Sequence, residues 1–565
     1  MRRRNSVLAG GLALALAATL TAPALSQQVS SAPVGQVDPW GVGFLVASEA
    51  AIPVGFWANT NGDALAPVFA ALQPKDLSPT ARAMLRRIML SRSKAPTGGA
   101  VLTPERLRLI EQLGETAHSA DLRKRYADAD WGKSGERLAI ELDLVSGKKE
   151  ACSRTAGKPT ADKSWMPVRA FCATLNGDVN STNLIVEQIA STDEAFGVWL
   201  LAAAGAIATP EGKKPEGRYA TPFEAAVSVA AKLSVPANAL SAAPGDVAAA
   251  IVLNPTATLE QKRAALRPAL DSGRIKSADV LAVLTAKAET PAPKPANIRG
   301  APPRPDLLAA ALAAFATADA KPDTRAKAYA DALKAAESMS DARLASVALT
   351  DAIKALPKNE MTAPHAETFA RAALLTGDEK QAGDWRKLMN ALPKESADAW
   401  AAARLDLMLS YAGANNEKPS AILERLLAAA PYAPPPEPGK PAPPPPKTAS
   451  PADKQLDLRR IENTRALFLY VGTGRDLSPD HRAVLATQKT AGRGVSDSAI
   501  TRIVSAADQD ADGEAALAIL SLIGPDPSAL SFAGLSDLLT QLRRIGMESD
   551  ANALALESLQ VWKAL

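Results

Sequence analysis

Asp508-Gln509-Asp510-Ala511-Asp512-Gly513 carries the clearest chemical potential in this chain of 565 residues. Three carboxylates at alternate positions followed by glycine is how a calcium loop begins. Hard oxygen ligands converge and the glycine makes the turn. The twelfth position of such a loop should hold a bidentate glutamate, and here it is Ile519. The same residues also read as a solvated turn, with Gly513-Glu514-Ala515-Ala516-Leu517 opening the next helix, where acidic side chains favour the N-terminus. Asp508, Asp510 and Asp512 therefore stand as candidate calcium ligands beside an ordinary inter-helix turn.

Cys152 and Cys172 are the only cysteines. They lie in predicted helices on either side of a Gly157-Lys158-Pro159 loop. In an exported chain an even pair reads as a disulfide. It would staple one helical hairpin and add about 3 kcal/mol by restricting the unfolded chain. Free thiols or a redox-active pair are the alternatives, but the spacing is far from C-x-x-C and no histidine is near in sequence.

Other catalytic arrangements are missing. Gly132-Lys133-Ser134 resembles the end of a phosphate-binding loop, yet Ala127 stands where the earlier glycine belongs and no strand precedes it. His118, His365 and His481 are scattered, with no His-Glu-x-x-His zinc motif and no Gly-x-Ser-x-Gly elbow. The Glu-Ser pair of a lytic transglycosylase could be sought in Glu548-Ser549 or Glu557-Ser558, but both pairs sit inside a final helical hairpin rather than in a Gly-rich catalytic context. These patterns predict no catalysis and no cofactor.

The elements that must position these residues are helices. Hydrophobic residues make up 47% of the chain, but alanine supplies much of this and aromatics are only 4%. Each helix then buries little, so the fold needs many helix–helix contacts rather than one dense core. Long alternating runs of Val, Ile and Tyr are absent, which predicts no sheet. The net charge is +4. Arg2, Arg3 and Arg4 account for most of it, and the near-neutral remainder gives no reason to expect nucleic acid.

Residues 1–26 have the three parts of a secretory signal: the basic start, an apolar run from Val7 to Leu20, and small residues at Ala24 and Ser26, with cleavage before Gln27. The alternative is an uncleaved anchor; after cleavage no membrane span is expected. The general secretory route is expected rather than the twin-arginine one. Residues 27–76 contain Trp40, Phe44, Phe56, Trp57 and Phe69 among helix-breaking Gly and Pro. They predict an irregular cap laid along the first helices. Ser78-Pro79, Thr103-Pro104 and Ser478-Pro479 each place a hydroxyl N-cap before a proline.

The stretch from His365 to Pro431 predicts two successive hairpins. Their helices span 365–375, 379–392, 397–411 and 420–430. Ala173-Thr174-Leu175-Asn176-Gly177-Asp178 echoes Ala373-Leu374-Leu375-Thr376-Gly377-Asp378, and a third case passes through Gly546. Glycine ends one helix in the left-handed conformation and aspartate caps the next. These units resemble tetratricopeptide-type hairpins, although the Trp–Leu-Gly–Tyr pattern of that family is missing and the spacing is irregular. The resemblance implies a curved superhelix that binds proteins. The arrangement of leader, aromatic segment, Cys–Trp–Cys hairpin and helical tail is also similar to exported bacterial helical proteins with no assigned activity.

Two Pro-rich segments, 290–305 and 431–451, cannot be helical and read as spacers. The expected organisation is all-α, a solenoid-like array of hairpins. After the leader and the aromatic cap come hairpins over 77–289 with the Cys152–Cys172 pair, then 306–430 and 452–565. The functional expectation is a non-enzymatic periplasmic or secreted scaffold for an envelope protein. The alternatives are an accessory factor contacting peptidoglycan and a divergent hydrolase built from dispersed carboxylates.

Overall fold

The computed structural model describes residues 38–560 except 47–48, 50, 126–132, 156–162, 241–244, 287–320, 337–338, 394–397, 433–449 and 489–491. The leader, the first Pro-rich segment and most of the second lie outside the described residues, as does Gly132. Among the described residues the chain is all-helical. Extended pairing is limited to the isolated bridges Asn61–Thr97 and Arg493–Leu530. No described helix is long and apolar enough to cross a membrane.

Local chemistry explains where the helices begin. Ser78, Ser450, Ser478 and Ser496 each accept from a backbone N–H three residues on, and Thr221 and Thr258 form capping boxes with Glu224 and Gln261. Thr103 departs from the sequence expectation. A 3-10 turn over Gly99–Leu102 leads straight into the helix, so Thr103 is itself helical and its side chain caps nothing.

The hairpin turns follow one plan. Gly177 and Gly377 have φ of 76° and 74°, and the amides of Asp178 and Asp378 donate to Ala173 and Ala373, each at 2.9 Å. Both aspartates then cap the returning helix. Gly546 repeats the geometry, with Met547 N donating to Leu542 at 2.8 Å. This is the helix-ending motif that a left-handed glycine permits. The stretch predicted as two hairpins forms helices over Ala366–Leu375, Glu379–Leu388, Ala399–Tyr411 and Pro419–Ala429. A 3-10 turn over Met389–Ala391 replaces the expected end of the second. The second Pro-rich segment ends earlier than expected, because Ser450 and Pro451 already cap and open the Pro451–Gly472 helix.

The aromatic segment does more than cover the first helices. Trp40, Phe56, Trp57 and Phe69 form one buried cluster with ring centroids 5.4–6.3 Å apart. Arg106 lies under it, donating to the carbonyls of Pro39, Val42, Met89 and Ser91, with its guanidinium 4.9 Å from the Trp40 ring. The cluster's far side meets the last hairpins. Gly513 N donates to Phe56 O at 2.9 Å, Ser78 N to Gly524 O at 2.8 Å, and Asn59 Nδ2 to Gln509 O at 3.0 Å. Arg87 pairs with Asp550. The first helices therefore pack on the last ones, and the described residues make one compact unit. The hairpins on either side of the second Pro-rich segment also pack, with Trp400 Nε1 donating to Asn463 Oδ1 at 2.8 Å and Asn463 Nδ2 to Ala430 O at 3.0 Å.

Candidate functional site: a charged cavity where distant hairpins meet

Closure of the first helices onto the last leaves a cavity at their junction. The Pro79–Leu90 helix contributes Thr80 and Arg82, and the turn before it contributes Lys75 and Leu77. Asp271 comes from the end of the Leu259–Asp271 helix, Arg343 from Met339–Lys354, and Leu375 from Ala366–Leu375. Leu556 and Glu557 come from the final Glu548–Leu559 helix. This lobe encloses about 260 Å³. A second lobe of about 320 Å³ shares Lys75, Arg82 and Asp271 with it and reaches Gln112 and Asp246. Each is near the small end of the range for ligand pockets, roughly 300–1,000 Å³.

Most of the cavity's acids already have partners. Glu557 accepts from Ser78 Oγ at 2.9 Å and from Thr80 N at 3.3 Å. Burial pushes its pKa up, against those hydrogen bonds. Asp526 accepts from Ser528 N and Oγ at 2.9 and 2.6 Å. Asp271 faces Arg343 at 3.9 Å, and Asp246 holds Arg274 Nε at 2.7 Å. The cations differ. Arg82 spends its Nε on Pro74 O at 3.1 Å, and among the described residues its Nη groups make no hydrogen bond, although the Asp271 and Asp246 charges act on it through space. Lys75 likewise has no ion pair among the described residues. The waist between the lobes thus offers two cations with no hydrogen-bonded carboxylate among the described residues, next to an apolar wall. Such a surface can hold an anion.

The sequence-level candidates lie elsewhere. Asp508 ends the Asp497–Asp508 helix and pairs with Arg544. Asp510 follows with a φ of 53°, and Asp512 opens the Asp512–Ile523 helix. Burial, then the neighbouring Asp510 charge, pushes the Asp512 pKa up. Among the described residues no group of three His, Cys, Asp or Glu side chains is arranged to hold a metal ion. Gly513 is occupied differently from a calcium loop's glycine: the Trp57 ring fills the place where its Cβ would stand. Cys152 and Cys172 are joined as a disulfide. Cys152 sits in a 3-10 segment, Lys149–Thr155, rather than an α-helix, and Cys172 in the Met166–Leu175 helix.

The histidines have separate surroundings. His118 Nδ1 is 2.9 Å from Glu115 and its ring stacks on Phe44. Burial pushes the His365 pKa down. His481 lies in the first turn of the Pro479–Thr487 helix, its amide donating to Ser478 Oγ. Lys133 opens the Lys133–Val145 helix.

Sequence reasoning weighed Glu557 only as part of a catalytic pair, and missed Lys75, Arg82, Asp271 and Arg343. Their convergence depends on tertiary contacts between residues hundreds of positions apart. Comparison of the chain with protein-family models, with curated proteins and with solved structures returns no match.

Proposed function

We propose that this chain is an exported, periplasmic, tetratricopeptide-like scaffold that holds a protein partner in the cell envelope. One observation carries the reading, the outer face of the Glu194–Ala208 helix. After Glu194 this helix has no charged residue. Trp199, Leu200, Ala203, Ala204 and Ala206 face the core. Val198 is 61% and Leu201 44% exposed, and Ala202 and Gly205 are exposed beside them. Positions 198, 201, 202 and 205 fall on one helical stripe. The preceding Val179–Ala190 helix adds exposed Leu184. An uncharged apolar stripe with small residues between larger ones is complementary to the apolar face of an amphipathic helix on a partner protein. Export is supported by the leader's composition, and the disulfide suits an oxidising compartment.

The test is photo-crosslinking in growing cells from a reactive residue at 198, with Lys276 on an exposed polar surface as control. A discrete heterologous adduct at 198 that is absent at 276, and lost when Leu201→Glu is added, is the expected result. A lack of adduct, or an adduct only with a second copy of the chain, would remove the scaffold reading. Sedimentation with isolated cell wall, undiminished by Leu201→Glu, would favour a peptidoglycan-associated role instead. Export is checked by N-terminal sequencing of the cellular protein, which should begin at Gln27.

A further inference from the structure

We propose that the junction cavity binds a small organic carboxylate with an apolar group, its head between Lys75 and Arg82 and its tail against Leu77, Leu375 and Leu556. The choice of an anion follows from which groups are left over. Glu557, Asp526 and Asp246 are engaged by Ser78, Ser528 and Arg274, and Asp271 is offset by Arg343. Lys75 and Arg82 have no hydrogen-bonded carboxylate among the described residues, Asp271 and Asp246 acting on Arg82 only through space, and both lobes of the cavity share the two cations. A carboxylate entering here would meet donors with hydrogen-bonding capacity left, the Lys75 ammonium and the Arg82 Nη groups.

The geometry favours a carboxylate over a bare inorganic anion. The Arg82 Nε is fixed on Pro74 O, so the outer edge of its planar guanidinium is presented in a set orientation that suits a two-oxygen acceptor. The adjoining wall is aliphatic, and its leucines come from three separate parts of the chain. That wall would gain nothing from sulfate or phosphate, but would bury a tail of a few carbons, at about 25 cal/mol per Å² of apolar surface. The lobe's volume admits one such tail and excludes a folded polypeptide segment. Glu557 sits beside the tail position with its carboxyl held by Ser78 and Thr80, so it closes the pocket without competing for the cations.

A free small acid and the C-terminus of a peptide share this chemistry. Calorimetry with the full chain lacking its leader separates them. The titrants are octanoate, octanamide, a pentapeptide ending in leucine carboxylate, and the same peptide as its C-terminal amide. Binding of either acid at least tenfold tighter than its amide is expected, and which acid binds identifies the source. Arg82→Gln should weaken that binding at least tenfold, and Lys75→Gln, at an exposed position, severalfold. Circular dichroism establishes that each variant is folded. Should Arg82→Gln not fold, the Lys75→Gln titration decides alone. Absence of binding by both acids, equal binding of acid and amide, or unchanged affinity in the folded variants would overturn the proposal.

Discussion

The Trp57 ring lies directly on Gly513, so that any side chain at 513 would run into the indole. The Gly513 amide is bound at the same place to Phe56 O. This glycine is therefore a seat for an aromatic residue from the other end of the sequence. Gly513→Ala should destabilise the protein by about 1–3 kcal/mol, the usual cost of overpacking. Gly383→Ala, inside a helix with open space around its Cα, should instead stabilise it by about 0.5–1 kcal/mol through helix propensity. Urea melts of both variants check the opposite signs.

Arg106 is 2% exposed and serves at once the carbonyls of Pro39 and Val42 in the aromatic segment and those of Met89 and Ser91 beyond it. Lysine keeps the charge but cannot reproduce the fork. Arg106→Lys should cost about 2–4 kcal/mol, since it leaves buried carbonyls unpaired. Tryptophan fluorescence should report a transition at lower denaturant.

A buried charge cluster joins the Ala399–Tyr411 and Pro451–Gly472 helices to the final one. Glu462 stands 3.7 Å from Arg404 and 3.6 Å from Arg465. These two arginines also donate to the carbonyls of Leu559 and Ser558, at the C-terminal end of the last helix. Glu462→Gln removes the shared countercharge and should cost about 3–5 kcal/mol. Thermal melts should show the loss.

Cys152 and Cys172 close a loop with a separation of 20 residues. Replacing both by alanine should lower stability by about 3 kcal/mol. Wild type in reductant should match the variant in a urea titration.

Alkaline pH should weaken the fold. Burial pushes Tyr219, Tyr411 and Tyr432 up to about 12 from the ordinary 10. Between those values the unfolded chain has released protons that the fold retains, so stability present below about pH 10 is lost as pH rises towards 12. Arg404 acts in the opposite sense. Burial lowers it from 12.5 to about 10, so its penalty is lifted over the same window. Burial also raises Tyr329 and Tyr470 and lowers Arg82 and Arg371, and five tyrosines against three arginines make the net change a loss. Urea midpoints should fall between about pH 9.5 and 11.5, and Tyr411→Phe should flatten the slope.

Much of the hairpin architecture was legible because its signals are local. Gly177-Asp178 and Gly377-Asp378 end one helix and start another within six residues of chain, and the serine caps act over three. The cysteine pair was legible because only one pairing exists. What stayed hidden was everything that depends on distant segments meeting. Gly513 read as the glycine of an inter-helix turn or of a calcium loop, and nothing near it in sequence mentions Trp57. Thr103 read as a cap because the 3-10 turn before it leaves no mark in the sequence. Arg82 and Lys75 flank an ordinary helix start, and only the approach of the elements that carry Asp271, Arg343 and Glu557 makes them part of a cavity.

The contacts that join the first helices to the last span about as much chain as the protein contains, with Asn59 bonded 450 positions away and Ser78 bonded 479 positions away. Synthesis runs from the N-terminus, so Trp40 and Trp57 emerge long before their seat exists. Until the final hairpins arrive, the cluster of Trp40, Trp57 and Phe69 lacks one wall and is a target for holding chaperones. Folding of this chain should therefore finish with a slow docking step governed by topology. Loss of the last hairpins would then unsettle the beginning of the protein more than its middle.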